Sequence, residues 1–81
     1  MTRAAAIERL LDQLCVDLGF CLPPGERARL SKAPPESIKS FTDAVFTAEG
    51  LSPETADKHL WRQVRDRVAK CFSDMGWNDA V

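Results

Sequence analysis

The segment Ser52–Met75 carries the longest uninterrupted helical pattern of apolar residues in the chain. On a helical wheel of about 100° per residue, its apolar side chains lie within about 80° of Val64 and form one continuous face. These side chains are Leu60, Trp61, Val68, Cys71, Phe72 and Met75. Ser52 can act as the N-cap, Pro53 suits the first helical position, and Gly76 favours a stop. A helix of this length, on the order of 30 Å, must have its apolar face covered by other helices.

The preceding segments predict two further main helices and one short helix. The first main helix, over about residues 3–18, has one apolar stripe and ends before Gly19. That stripe consists of Ile7, Leu10, Leu11, Leu14 and Leu18. The predicted fold is therefore all-α, with residues 1–81 forming a single compact domain. Its helices are three main ones, about residues 3–18, 35–48 and 52–75, and a short one, about residues 24–31.

Length and charge limit the classes of protein to which the chain can belong. Its 81 residues suffice for one core, which by surface scaling buries roughly 60–65% of the unfolded surface. A net charge of −1 gives no overall basic field that would attract nucleic acid or an anionic membrane. No apolar run approaches the roughly 20 residues that span a bilayer, and Glu8, Arg9 and Asp12 interrupt any secretory signal. We therefore expect a cytoplasmic protein without a membrane partner.

The three cysteines, Cys15, Cys21 and Cys71, are odd in number and unevenly spaced. Secreted disulfide scaffolds usually have an even number, so we expect three reduced thiols that are buried or half-buried. A zinc site with His59 is disfavoured, because no two cysteines have the C-x2-C spacing and His59 lies across its helix from Cys71. The sequence predicts no metal and no cofactor.

The residue patterns needed for catalysis are also missing from the sequence. It contains one histidine, no glycine-rich phosphate loop and no G-x-S-x-G motif. His59 and Cys71 lie on different sides of one predicted helix and cannot form a nucleophile and base pair. Asp57 falls on the predicted apolar face, but a lone carboxylate near a helix start is more often structural than functional. We therefore predict no catalytic residues and do not expect an enzyme.

Residues 48–60 resemble the turn and second helix of LuxR-type helix-turn-helix domains. The resemblance rests on Gly50-Leu51-Ser52-Pro53, then Thr55, Ala56 and the pair His59-Leu60. Phe46 and Glu49 stand where that family has a small residue and a buried leucine. The resemblance implies DNA binding, with the helix that starts at Ser52 entering the major groove. The implied contacts are Glu54, Thr55, Lys58 and His59 near the front of that helix, with Arg62 and Arg65 close to phosphates.

Apolar residues outside the three stripes indicate a different function, which is contact with another protein. Phe46 lies about 140° from Phe41 on their helix, so a helix packed on one side would leave Phe46 in water. The alternative is that both faces of this helix are covered and Phe46 belongs to the core. Val16 points away from the first stripe, and Trp77 follows the predicted stop of the last helix. We predict a protein-interaction or regulatory module that binds itself or a partner through Val16, Phe46 and Trp77. The alternative function is that of a helix-turn-helix DNA-binding protein.

Overall fold

The computed structural model describes residues 3–76, with side chains from residue 4 onward. Four helices lie in this range: α1 (Arg3–Leu18), α2 (Pro24–Lys32), α3 (Ile38–Ala48) and α4 (Lys58–Asp74). Helix α4 packs against both α1 and α3, and α2 packs against α1. The all-α prediction is confirmed at this level, because the described residues contain helices and turns and no strand.

The core is built from the apolar stripes that the sequence predicts for α1 and α4. Helix α4 contributes Val64, Val68 and Phe72, spaced four residues apart, and each is at most 1% exposed. From α1 come Ile7, Leu10, Leu11 and Leu14. Spacings of three and four residues place such side chains on one helical face, where each stripe is covered by a neighbouring helix. Partial burial of Leu18, Leu60, Trp61, Cys71 and Met75 extends this core at its margins.

Helix α3 is buried on both of its sides, and Phe46 is a core residue. Its side chain is 0% exposed, and its ring meets that of Phe20 edge to face, with 4.9 Å between centroids. On the other side of α3, Phe41 packs in the same way on Phe72 of α4, with 5.7 Å between centroids. The prediction of Phe46 as a partner surface is therefore wrong. The wheel missed its burial because the covering side chain, Phe20, comes from a connector and not from a helix.

The other two candidates for a partner surface differ from Phe46. The Val16 side chain, which lies outside the apolar stripe of α1, is 83% exposed. Trp77 lies outside the described residues.

Helix α4 begins six residues later than predicted, at Lys58. Its N-cap is Asp57, whose Oδ1 accepts a hydrogen bond from the backbone N–H of His59 at 2.9 Å. Ser52 instead opens a turn, because its carbonyl accepts the backbone N–H of Thr55 at 3.2 Å. Proline suits the second position of a β-turn as well as the first position of a helix, so Pro53 fits both structures. The placement of Asp57 on an apolar helix face is wrong for the same reason, since it precedes the helix.

Helix α3 also begins later than predicted, at Ile38 and not near Pro35. The hydroxyl of Ser37 accepts the backbone N–H of Ser40 at 2.9 Å and caps this helix. The predicted bounds of α1 are confirmed, and those of α2 differ by one residue.

Cys15 and Cys21 form a disulfide, so the expectation of three reduced thiols is wrong for this pair. Gly19 adopts a φ of +78°, a conformation that reverses the chain after α1 at little cost for glycine. The reversal brings Cys21 back to the last turn of α1, with 4.2 Å between the two Cα atoms. Cys71 is a free, half-buried thiol. Within residues 3–76, no helix has both the length and the apolar character needed to cross a membrane.

Replacing Phe46 with alanine tests its place in the core. We expect the free energy of unfolding to fall by about 3–5 kcal/mol, because a buried ring is lost and a cavity remains. Urea unfolding followed by circular dichroism measures this, and Phe46→Leu provides a milder variant if the alanine variant does not fold. The exposed Val16→Ala should change stability by less than about 0.5 kcal/mol. Equal, small effects at both positions would place Phe46 at the surface.

The start of α4 can be tested by removing each possible cap. Asp57→Ala should lower the free energy of unfolding by about 1 kcal/mol, because it leaves a backbone N–H of the first turn without its acceptor. Asp57→Asn keeps a hydrogen-bond acceptor at this position and should lower the free energy of unfolding much less. Ser52→Ala should have an effect below about 0.5 kcal/mol, and a larger loss at Ser52 than at Asp57 would contradict this helix start.

Candidate functional site

A groove of about 540 Å³ lies between α3, the α3–α4 connection and the first half of α4. We call it the Trp61 groove. Its apolar part is formed by Trp61, Pro53 and Ala56. Its charged part is formed by the basic residues Lys39, Lys58, Arg62 and Arg65 and the acidic residues Asp43 and Glu54. The helix pairing brings these side chains together from segments that are distant in sequence.

The Trp61 side chain is fixed between two helices. It is half-buried, and its Nε1–H donates a hydrogen bond to Oδ1 of Asp43 on α3 at 2.9 Å. The guanidinium of Arg65 lies 5.8 Å from the indole centroid, within the range of a cation–π contact. The indole therefore has a satisfied polar edge and a partly exposed apolar surface, which suits tryptophan to a contact site.

Asp43 connects this indole to the basic rim of the groove. Its Oδ2 accepts a hydrogen bond from Nζ of Lys39 at 2.9 Å, while Oδ1 is held by Trp61. Partial burial acts to raise the pKa of Asp43, but the hydrogen bonds from Lys39 and Trp61 and the charge of Lys39 outweigh it. The pKa of Asp43 therefore lies below its ordinary value. The carboxylate stays ionised and keeps both donors in place.

Two cations of the Trp61 groove lack a counter-ion among the described residues. Lys58 and Arg62 are exposed, and neither forms an ion pair within residues 4–76. By contrast, Lys39 pairs with Asp43, and Arg65 approaches Asp66 with 3.1 Å between Nη2 and Oδ1. The groove is therefore locally positive in a chain whose net charge is −1.

The residues predicted to contact DNA are not arranged as in a helix-turn-helix. The connection between α3 and α4 spans the nine residues 49–57, whereas the turn of that motif has about three or four. Thr55 lies within this connection, where its hydroxyl approaches the Ser52 carbonyl at 3.4 Å. His59 is exposed and its ring contacts Gln63. Of the six predicted contacts, four meet in the Trp61 groove: Glu54, Lys58, Arg62 and Arg65.

Trp61 itself was missed as a site residue, because the helical wheel assigns it to the apolar face of α4. The signal that could have found it is its polar N–H, which requires a partner when the ring is half-buried. Which acid would supply that partner depends on how α3 packs against α4. Val16 is not part of the groove, and Phe46 lies in the core.

A second groove, of about 840 Å³, lies between α1 and α4. Arg67 of α4 pairs across it with Asp17 of α1, with 2.5 Å between Nη1 and Oδ2. The thiol of Cys71 lines this groove and donates to the Ala6 carbonyl at 3.7 Å. Burial, followed by the charge of Asp74, raises the pKa of Cys71, so the thiol is protonated and not activated as a nucleophile. Among the residues that the structure describes, no cluster of three or more histidine, cysteine or acidic side chains is placed to hold a metal.

Comparison of the chain with known protein families, with curated proteins and with solved structures finds no significant match. The function must therefore be inferred from the geometry of the site.

The ionised form of Asp43 should stabilise the fold in a pH-dependent way. Because its folded-state pKa is depressed, its contribution is present above the unfolded pKa of about 4 and is lost as pH falls through the folded value. Asp43→Asn should therefore be less stable than the natural protein at neutral pH, and the difference should narrow at about pH 3. Urea unfolding at both pH values measures this.

The Lys39→Gln variant provides the control for this pH dependence. In that background the carboxylate has lost one of its two donors, so Asp43→Asn should have a smaller pH-dependent effect. If Asp43→Asn lowers the stability of the natural protein equally at both pH values, ionisation of Asp43 contributes nothing.

Proposed function

We propose that this protein is an interaction module that binds an acidic segment of a partner protein in the Trp61 groove. The observation that carries the proposal is a half-exposed indole, fixed by Asp43, beside two cations, Lys58 and Arg62, that have no counter-ion among residues 4–76. An apolar side chain of the partner would pack on the indole. Carboxylates on either side of that residue would pair with the two cations.

The energetics of binding favour such a site. Tryptophan and arginine are the residues most often found at the energetic centre of protein interfaces. The indole is already held by the Asp43 carboxylate, so little side-chain entropy is lost when a partner binds. Charges at the rim of an interface mainly raise the association rate and select the partner. A groove of about 540 Å³ accommodates a short segment, so we expect weak, salt-sensitive binding.

A protein partner is favoured over nucleic acid by the charges within the groove. Asp43 and Glu54 line it together with the cations, and they would repel a continuous phosphate backbone. A peptide can place its acids beside Lys58 and Arg62 and an apolar residue beside the indole. The net charge of −1 also provides no long-range attraction for DNA.

The indole supplies a direct measurement of binding. In a Trp77→Phe background Trp61 is the single tryptophan, since the chain contains two. Its fluorescence should change saturably on titration with a short peptide of glutamate and aspartate around one phenylalanine. A peptide with glutamine and asparagine in place of the acids should bind at least about tenfold more weakly.

Three variants that change the net charge by the same amount distinguish binding in the groove from a general attraction between the protein and the acidic peptide. The single variants Lys58→Glu and Arg62→Glu should each weaken binding of the acidic peptide at least about tenfold. Lys32→Glu makes the same charge change on α2, outside the groove, and should leave affinity nearly unchanged. No saturable signal, or equal losses in all three variants, would refute the proposed site. Tighter binding of duplex DNA than of peptide, with a steep salt dependence and loss on Arg62→Glu, would favour nucleic acid as the partner.

A further inference from the structure

The disulfide between Cys15 and Cys21 lies at the surface of the bundle. Cys21 is exposed in the connector between α1 and α2, whereas Cys15 is half-buried in the last turn of α1. The neighbouring Val16 side chain is 83% exposed, so the last turn of α1 faces solvent on that side. A thiol in solution can therefore approach the sulfur of Cys21 without unfolding of the core.

The connector is held in place by contacts that do not depend on the bridge. Phe20 and Leu22 are 4% and 6% exposed, and the Phe20 ring packs on Phe46. The backbone N–H groups of Gly19 and Phe20 donate to the carbonyls of Cys15 and Leu14 at 3.1 and 3.0 Å. Opening the bridge should therefore leave these anchors, and the helices on either side, in their places.

We propose that the Cys15–Cys21 bridge is a thiol–disulfide exchange site, which a dithiol reductant opens in the folded protein by attack on Cys21. A thiolate of the reductant bonds to Sγ of Cys21 while the S–S bond breaks, and the Cys15 sulfur leaves as a thiolate and takes up a proton. The second thiolate of the reductant then attacks the reductant sulfur that is bonded to Cys21. Cys21 leaves as a thiolate and takes up a proton. The reductant becomes a disulfide, and the protein gains two electrons and two protons.

Cys71 takes no part in this exchange. Its half-buried thiol hydrogen-bonds to the Ala6 carbonyl in the groove between α1 and α4, and burial keeps it protonated. It lines that groove together with residues of α1 and α4 and not with the connector. Cys71 therefore serves as an internal reference against which the reactivity of the pair can be measured.

The rate of reduction in the native state tests the proposal. The full chain is treated with dithiothreitol at several urea concentrations below the unfolding transition, and new thiols are counted by alkylation and mass spectrometry. We expect a rate proportional to dithiothreitol and nearly independent of urea, with unchanged helical circular dichroism after reduction. A rate that rises with urea as steeply as global unfolding would overturn the proposal. Recovery of three free thiols after oxidation in air would overturn it too.

The point of attack is tested with variants that keep only one cysteine of the bridged pair. In Cys15→Ser the remaining Cys21 should form a mixed disulfide with oxidised glutathione several-fold faster than Cys15 does in Cys21→Ser. In both variants Cys71 should react more slowly than Cys21 does in Cys15→Ser. A faster reaction at Cys15 than at Cys21 would refute attack on Cys21. The double variant Cys15→Ser and Cys21→Ser should keep the helical spectrum. Loss of that spectrum would overturn the proposal, because the protein would then not stay folded with the bridge open.

Discussion

The packing of α4 between α1 and α3 is the interaction on which the rest of this structure depends. Val64, Val68 and Phe72 are at most 1% exposed because α1 covers one side of the helix and α3 covers the other. Among the described residues, ten of the thirteen buried apolar side chains lie on these three helices. Helix α2 is attached to the bundle through α1, and therefore contributes to the core chiefly through Leu30.

The Trp61 groove is a direct result of the same packing. Trp61 lies in the first turn of α4, one turn before Val64, and its ring is only half-covered. Contact between α3 and α4 places the Asp43 carboxylate against the indole N–H and thereby fixes the ring at the margin of the bundle. The side chain thus belongs to the core by its buried edge and to the surface by its exposed face.

Sequence patterns predicted the parts of the fold that depend on residues close together in the chain. The stripe of α1 and its end before Gly19 follow from spacing and from glycine chemistry, and the structure has both. The predicted start of α4 is wrong because Ser52-Pro53 satisfies the requirements of a turn as well as those of a helix. The burial of Phe46, the disulfide and the pairing of Trp61 with Asp43 all join residues of different segments. Local periodicity carries no information on such contacts, so these features required the three-dimensional arrangement.

The nine residues 49–57 form part of the proposed binding groove but lie outside the buried core. Pro53, Glu54 and Ala56 line the Trp61 groove, yet no residue of this connection is among the fully buried core residues, and Leu51 is 46% exposed. Substitutions at residues 51–56, which leave the Asp57 cap in place, would reshape one wall of the groove while the packing of α1, α3 and α4 stays intact. The shape and charge of the proposed binding groove can therefore change through this one loop with little effect on the stability of the bundle.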